Sequence, residues 1–134
     1  KSIINSQLFL KNWPKNIFNN MKTLKKKILK NLKKNKNIIG YGAPTKAALL
    51  LKLAELEKNS IKYTIEDNSL KINKFIPKTD IKIKPFKDIY KNKPNIIIIF
   101  AWNFYSDIIK KLKKNKIRKL KIIVPLPKVK TINI

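Results

Sequence analysis

The chain has 134 residues, 43% of them apolar, enough to bury roughly two-thirds of the unfolded surface around one core and too few for a second domain. It contains no Cys and no His, which excludes disulfides, thiol redox chemistry, imidazole catalysis and the common zinc sites; any chemistry falls to Lys, Asp, Glu, Tyr or backbone amides. The formal charge is +26, from 33 basic and 7 acidic residues, and suggests nucleic acid; yet Arg118 is the only Arg, whereas bidentate guanidinium contacts dominate phosphate and base recognition.

Lys, Asn and Ile are enriched together in strands and helices alike, which reads as a bias of composition and leaves most lysines as solvated surface. No specific nucleic-acid partner is expected, although the long-range field favours an anionic ligand. The longest apolar run, residues 96–102, is far short of the ~20 residues a spanning helix needs. With no secretory pattern either, no membrane partner and a cytoplasmic location are expected. The first residue is Lys1 rather than Met, so the chain is expected to be a fragment or a processed product.

Residues 1–36 read as an N-terminal segment and helix. Leu8, Phe9 and Trp13 suggest a continuation from something upstream. Ile17, Met21, Leu24, Ile28 and Leu32 recur at spacings of three and four, predicting an amphipathic helix over 15–34 with Pro14 at its first turn. From residue 37 to 127 short apolar runs alternate with helical stretches, the signal of βαβ units and a parallel sheet. Strands are predicted at 38–41, 61–66 and 95–101, a short extended piece at 81–83 and a last strand at 121–124. Helices are predicted from Pro44 to about Glu57, at 86–90 as a single turn and at about 104–114; residues 128–134 read as a tail. The unbroken apolar run at 95–101 suits a central strand buried on both faces. These elements predict a single α/β domain, a Rossmann-like three-layer sandwich of mostly parallel strands ordered 3-2-1-4-5, preceded by the amphipathic helix.

Both glycines of the chain fall in the turn after the first strand, in Gly40-Tyr41-Gly42-Ala43-Pro44-Thr45-Lys46. Missing Cβ atoms serve either a tight turn or the close approach of a ligand, and amides at the following helix start favour an anion such as a phosphate. Asp67 stands where Rossmann folds often hold a ribose hydroxyl, and an Asp67-Asn68 turn accounts for it equally. Trp102 and Asn103 follow the central strand at the edge where open parallel sheets bind ligands; core filling and helix capping are their alternative roles.

The ordered set Gly40-Tyr41-Gly42-Ala43-Pro44-Thr45-Lys46, Asp67-Asn68-Ser69-Leu70-Lys71, Phe75-Ile76-Pro77, Ala101-Trp102-Asn103-Phe104 and Pro125-Leu126-Pro127 resembles the C-terminal domain of sugar C-methyltransferases. The resemblance implies a three-part protein with a zinc-binding N-terminal region, a central domain for S-adenosylmethionine and this Rossmann-like module. It implies methylation of carbon in a nucleotide-linked keto-deoxysugar through an enolate, with acid-base residues and methyl donor in the central domain. No catalytic residue, metal or cofactor is then expected here. The expected partners are the nucleotide-sugar substrate and the upstream methyl-donor domain. Gly40 to Lys46, Asp67, Asn68, Lys71, Trp102 and Asn103 are the expected substrate-binding residues. Where the family tends to place glycine, this chain carries Ile72-Asn73-Lys74 and Lys78-Thr79, so loop geometry is expected to differ there. The rival readings are a structural module that braces the catalytic domain and a lysine-driven nucleic-acid-binding module.

Overall fold

In the computed structural model, residues 16–56 and 60–134 are described. Helix α1, Ile17–Lys33, forms where the apolar spacing predicts it, and Ile17, Met21, Leu24 and Ile28 are all buried. The readings that involve Leu8, Phe9, Trp13, Pro14 and Glu57 lie outside the described residues.

Strands β1 (Ile38–Tyr41), β2 (Tyr63–Glu66), β3 (Lys82–Pro85), β4 (Ile96–Ile99), β5 (Lys121–Val124) and β6 (Lys130–Asn133) form one sheet in the order β3-β2-β1-β4-β5-β6. The first five are parallel, in the order expected. The segment read as a tail is instead β6, which pairs antiparallel with β5, Ile122 facing Ile132. Its sequence hid it because only Ile132 of the four residues is even partly buried, so an edge strand here shows little apolar alternation.

Alternation along the central strands divides the apolar residues into two cores. Ile38, Ile96, Ile98 and Ile123 face α1 and helix α2 (Ala47–Leu53), whereas Ile39, Ile97, Ile99 and Ile122 face helix α3 (Tyr105–Lys114) and a 3-10 turn at Phe86–Tyr90. The result is the three-layer sandwich. Helix α2 ends at Leu53, earlier than the sequence suggests, because Glu55 turns to a φ of +51°.

Both loops in which glycine was missed hold a residue in the left-handed region, Asn73 at φ +70° and Lys78 at +62°. At Ile76-Pro77-Lys78-Thr79, where the Thr79 N–H donates to Ile76 O at 3.1 Å, a proline precedes the positive φ, the combination of a type II turn. Asn tolerates this conformation, and the Lys carries its strain, roughly 1–2 kcal/mol.

Candidate functional site at the carboxyl edge

β1 and β4 are neighbours whose outer partners, β2 and β5, lie on opposite sides, so their carboxyl ends flank the point where strand order reverses. Both glycines are shaped by this junction. A Cβ on Gly40 would stand 2.2 Å from the Phe100 ring and 2.9 Å from Thr64 Oγ1, so Gly40 lets Phe100 fill the space beneath β1. Gly42 has a φ of +95°, and a Cβ there would meet Ala101 Cβ at 2.7 Å. The turn after β1 therefore lies directly against the segment that leads into Trp102.

Glu66, the last residue of β2, ties the junction together. Its Oε1 accepts the Ala43 N–H at 3.0 Å, and its Oε2 accepts those of Asp67 and Asn68 at 2.8 and 2.9 Å. No sequence motif marks this residue, whose one signal is a carboxylate at the end of a mostly buried strand. The anion on the Ala43 amide is thus the chain's own carboxylate. Lys71 Nζ donates to Ala43 O at 2.9 Å, and Thr64 Oγ1 donates to Gly42 O at 2.7 Å, so the turn is held from both sides.

Asp67 faces the other layer. Tyr41 Oη donates to its carboxylate at 3.1 Å, and Lys111 Nζ, from α3, sits 2.5 Å from Oδ1 and 4.5 Å from the centre of the Phe86 ring. Burial, and then the charge and hydrogen bond of Asp67, push the Tyr41 phenol well above its ordinary pKa. Tyr41 therefore stays protonated at neutral pH and acts as a donor. Asn68 caps the 3-10 turn Ser69–Lys71, its Oδ1 accepting from Leu70 N at 3.0 Å.

Of the residues expected to bind substrate, Tyr41, Gly42, Ala43, Asp67, Asn68 and Lys71 share this network. Gly40 lies buried below it. Pro44, Thr45 and Lys46 lead into α2, with the Ala47 N–H donating to Pro44 O at 3.0 Å. Trp102 packs on both cores, and Asn103 is exposed in the 3-10 turn Trp102–Phe104. Lys111 was not anticipated, because it is 44 residues from its partner in a chain rich in lysine.

Residues 2–127 match the family model described as the C-methyltransferase C-terminal domain. The chain belongs to this family. It is also similar to the C-methyltransferase NovU of Streptomyces niveus, with 31% identity over 98 residues, 73% of this chain. That alignment covers 23% of NovU, so the chain spans less than a quarter of the relative's length. Among the described residues no helix is long and apolar enough to cross a membrane, and no group of His, Cys, Asp and Glu could hold a metal ion.

Proposed function

We propose that this module handles the substrate side of a C-methyltransferase that acts on a nucleotide-linked deoxysugar. The carrying observation is the organised carboxyl edge where strand order reverses, at which Lys71 holds Ala43, Asp67 meets Tyr41 and Gly42 lies against Ala101, which leads to the exposed Asn103. Open parallel sheets bind ligands at such an edge. Thr45 and Lys46 flank the same turn and supply a hydroxyl and a cation for a diphosphate. S-adenosylmethionine, zinc and the proton-transferring groups belong to upstream parts of a cytoplasmic enzyme, and the chain by itself neither binds the donor nor methylates a sugar.

A second reading, a module that braces the catalytic domain, has its own support: Glu66 already occupies the Ala43 amide and Phe100 the space at Gly40. Calorimetric titration of the chain with a thymidine-diphosphate deoxysugar at moderate salt separates the two. Saturable binding weakened by Lys46→Ala supports substrate handling; no heat of binding favours the brace.

A further inference from the structure

The opposite, amino-terminal edge of the sheet carries a concave surface that the substrate reading does not use. A depression of about 530 Å³ is lined by Lys34, Lys36, Lys119 and Lys121 with Asn95 and Asn133. A second, of about 230 Å³, adjoins it through Asn31, Lys34 and Lys121 and adds Lys27 and Lys30. No Asp or Glu lines either one; the carboxylate in the first wall is that of the last residue, Ile134, which accepts the Lys119 and Leu120 N–H groups at 2.8 and 3.4 Å. None of these six lysines forms an ion pair with a described carboxylate, while Lys25, Lys91 and Lys111 elsewhere each do.

The fold itself gathers these cations. Lys30 and Lys34 come from the carboxyl end of α1, where the helix dipole favours positive charge. That account does not reach the other three positions on the wall. Lys36 lies in the turn into β1, and Lys119, at φ +65°, is fixed by its N–H donating to Ile134 O at 2.8 Å. Lys121 opens β5; strand alternation puts it on the same face as Ile123, the α1 side, and pairing sets it opposite Asn133. Asn95 Oδ1 accepts the Asn37 N–H at 2.7 Å, which leaves its amide nitrogen as a donor. Six lysines against the single carboxylate of Ile134 leave a large excess of like charge in the concavity, and low-dielectric walls focus its field on whatever anion enters.

We infer that the amino-terminal edge is a second anion site, separate from the carboxyl-edge site, for a compact polyanion such as the di- or triphosphate group of a small phosphate ester. The size fits this class: about 530 Å³ lies within the roughly 300–1,000 Å³ of small-molecule sites. This inference does not depend on the substrate reading, since the two sites lie on opposite edges of the sheet.

The test is calorimetric titration of the whole chain with inorganic triphosphate at about 0.15 M salt, where screening sets in beyond about 8 Å. Two variants lose the same charge: Lys36→Gln/Lys119→Gln/Lys121→Gln at the edge, and Lys22→Gln/Lys74→Gln/Lys110→Gln at exposed positions outside it. The expected result is one-site binding that the edge variant weakens at least about tenfold and the control less than about threefold. Triphosphate should also raise the Tm of the wild type and the control but not of the edge variant. Equal weakening in both variants would assign the binding to net charge alone and overturn the site. Absence of triphosphate binding, with or without binding of a single-stranded RNA, would overturn it as well.

Discussion

The two edges of this sheet treat charge in opposite ways. At the carboxyl edge Glu66 satisfies three amides, Asp67 meets Tyr41 and Lys111, and Lys71 holds a carbonyl. At the amino edge six lysines line adjoining depressions with no Asp or Glu in their walls. The difference teaches that a uniform excess of lysine can be divided by topology into a braced region and an uncompensated one. Parallel strands bring every strand-end loop of one kind to the same edge, so two acids at the end of β2, Glu66 and Asp67, structure one edge and leave the other strongly basic.

The largest expected effect comes from removing the brace. Glu66→Ala leaves the amides of Ala43, Asp67 and Asn68 without their acceptor; with water repairing part of the loss, unfolding free energy should fall by about 3 kcal/mol. Urea denaturation measures this. Glu66→Gln keeps one acceptor oxygen and should lose about half as much. A Glu66→Ala variant as stable as the wild type would show that the carboxyl edge does not need its carboxylate, and the contrast between edges would collapse.

Next come two tyrosines on the same face of the sheet. Tyr41 Oη has Asp67, whereas Tyr63 Oη is buried without a partner, beneath Lys84 at 4.6 Å from the ring centre. Tyr41→Phe should cost about 1–1.5 kcal/mol at neutral pH; Tyr63→Phe, which removes an unsatisfied hydroxyl, should be neutral or gain up to about 1 kcal/mol. The pH dependence has a fixed sign. The folded-state pKa of Tyr41 is raised, so its contribution is intact below the unfolded value near 10 and is lost as pH rises above it, at up to about 1.4 kcal/mol per unit. Tyr63, raised by burial and then by Asp88, behaves the same way. Each Phe variant should therefore lose stability less steeply than the wild type above about pH 10, as chemical denaturation at a series of alkaline pH values will record.

Much of this was legible in the residues. Ile96 to Ile99 are apolar without interruption because β4 is covered on both faces, which marks its central place; the order of the strands follows from right-handed crossovers between successive parallel strands. The glycine turn, Asp67, Asn68 and Lys71 lie together at one edge because the motif places them at the ends of β1 and β2, which pair side by side. What escaped was long-range or weakly patterned. Glu66 acts through backbone amides that no side-chain motif displays, Lys111 reaches Asp67 only once α3 packs, and β6 has one partly buried residue to announce it.

The loop that crosses from the carboxyl end of β2 to the start of β3 provides a smaller test. Lys78 stands at φ +62° in the position of its turn where glycine is least strained. Lys78→Gly should raise stability by about 0.5–1 kcal/mol, the relief of the left-handed conformation less the entropy of a freer unfolded chain. Thermal melting of the two proteins side by side measures it, and an unchanged or lower Tm would show that the lysine side chain stabilises this loop in another way.

The smallest effects give the sharpest contrast, because the same substitution should have opposite signs at the two edges. Lys111→Gln removes a half-exposed ion pair and a cation over the Phe86 ring, which together should cost between about 0.2 and 1 kcal/mol. Lys36→Gln/Lys119→Gln/Lys121→Gln removes cations from a wall in which lysines outnumber the one carboxylate, that of Ile134, and should leave stability equal or raise it by a few tenths, about 0.5 kcal/mol at low salt. Salt separates the two further. Adding salt to about 1 M shortens the screening length to about 3 Å, so the gain at the amino edge should vanish while part of the loss at Lys111 persists through its contact with the ring. Urea unfolding of the three proteins at low and high salt supplies the comparison. If the amino-edge variant is destabilised at low salt, those lysines have stabilising partners within the fold, and the uncompensated charge on which the contrast rests does not exist.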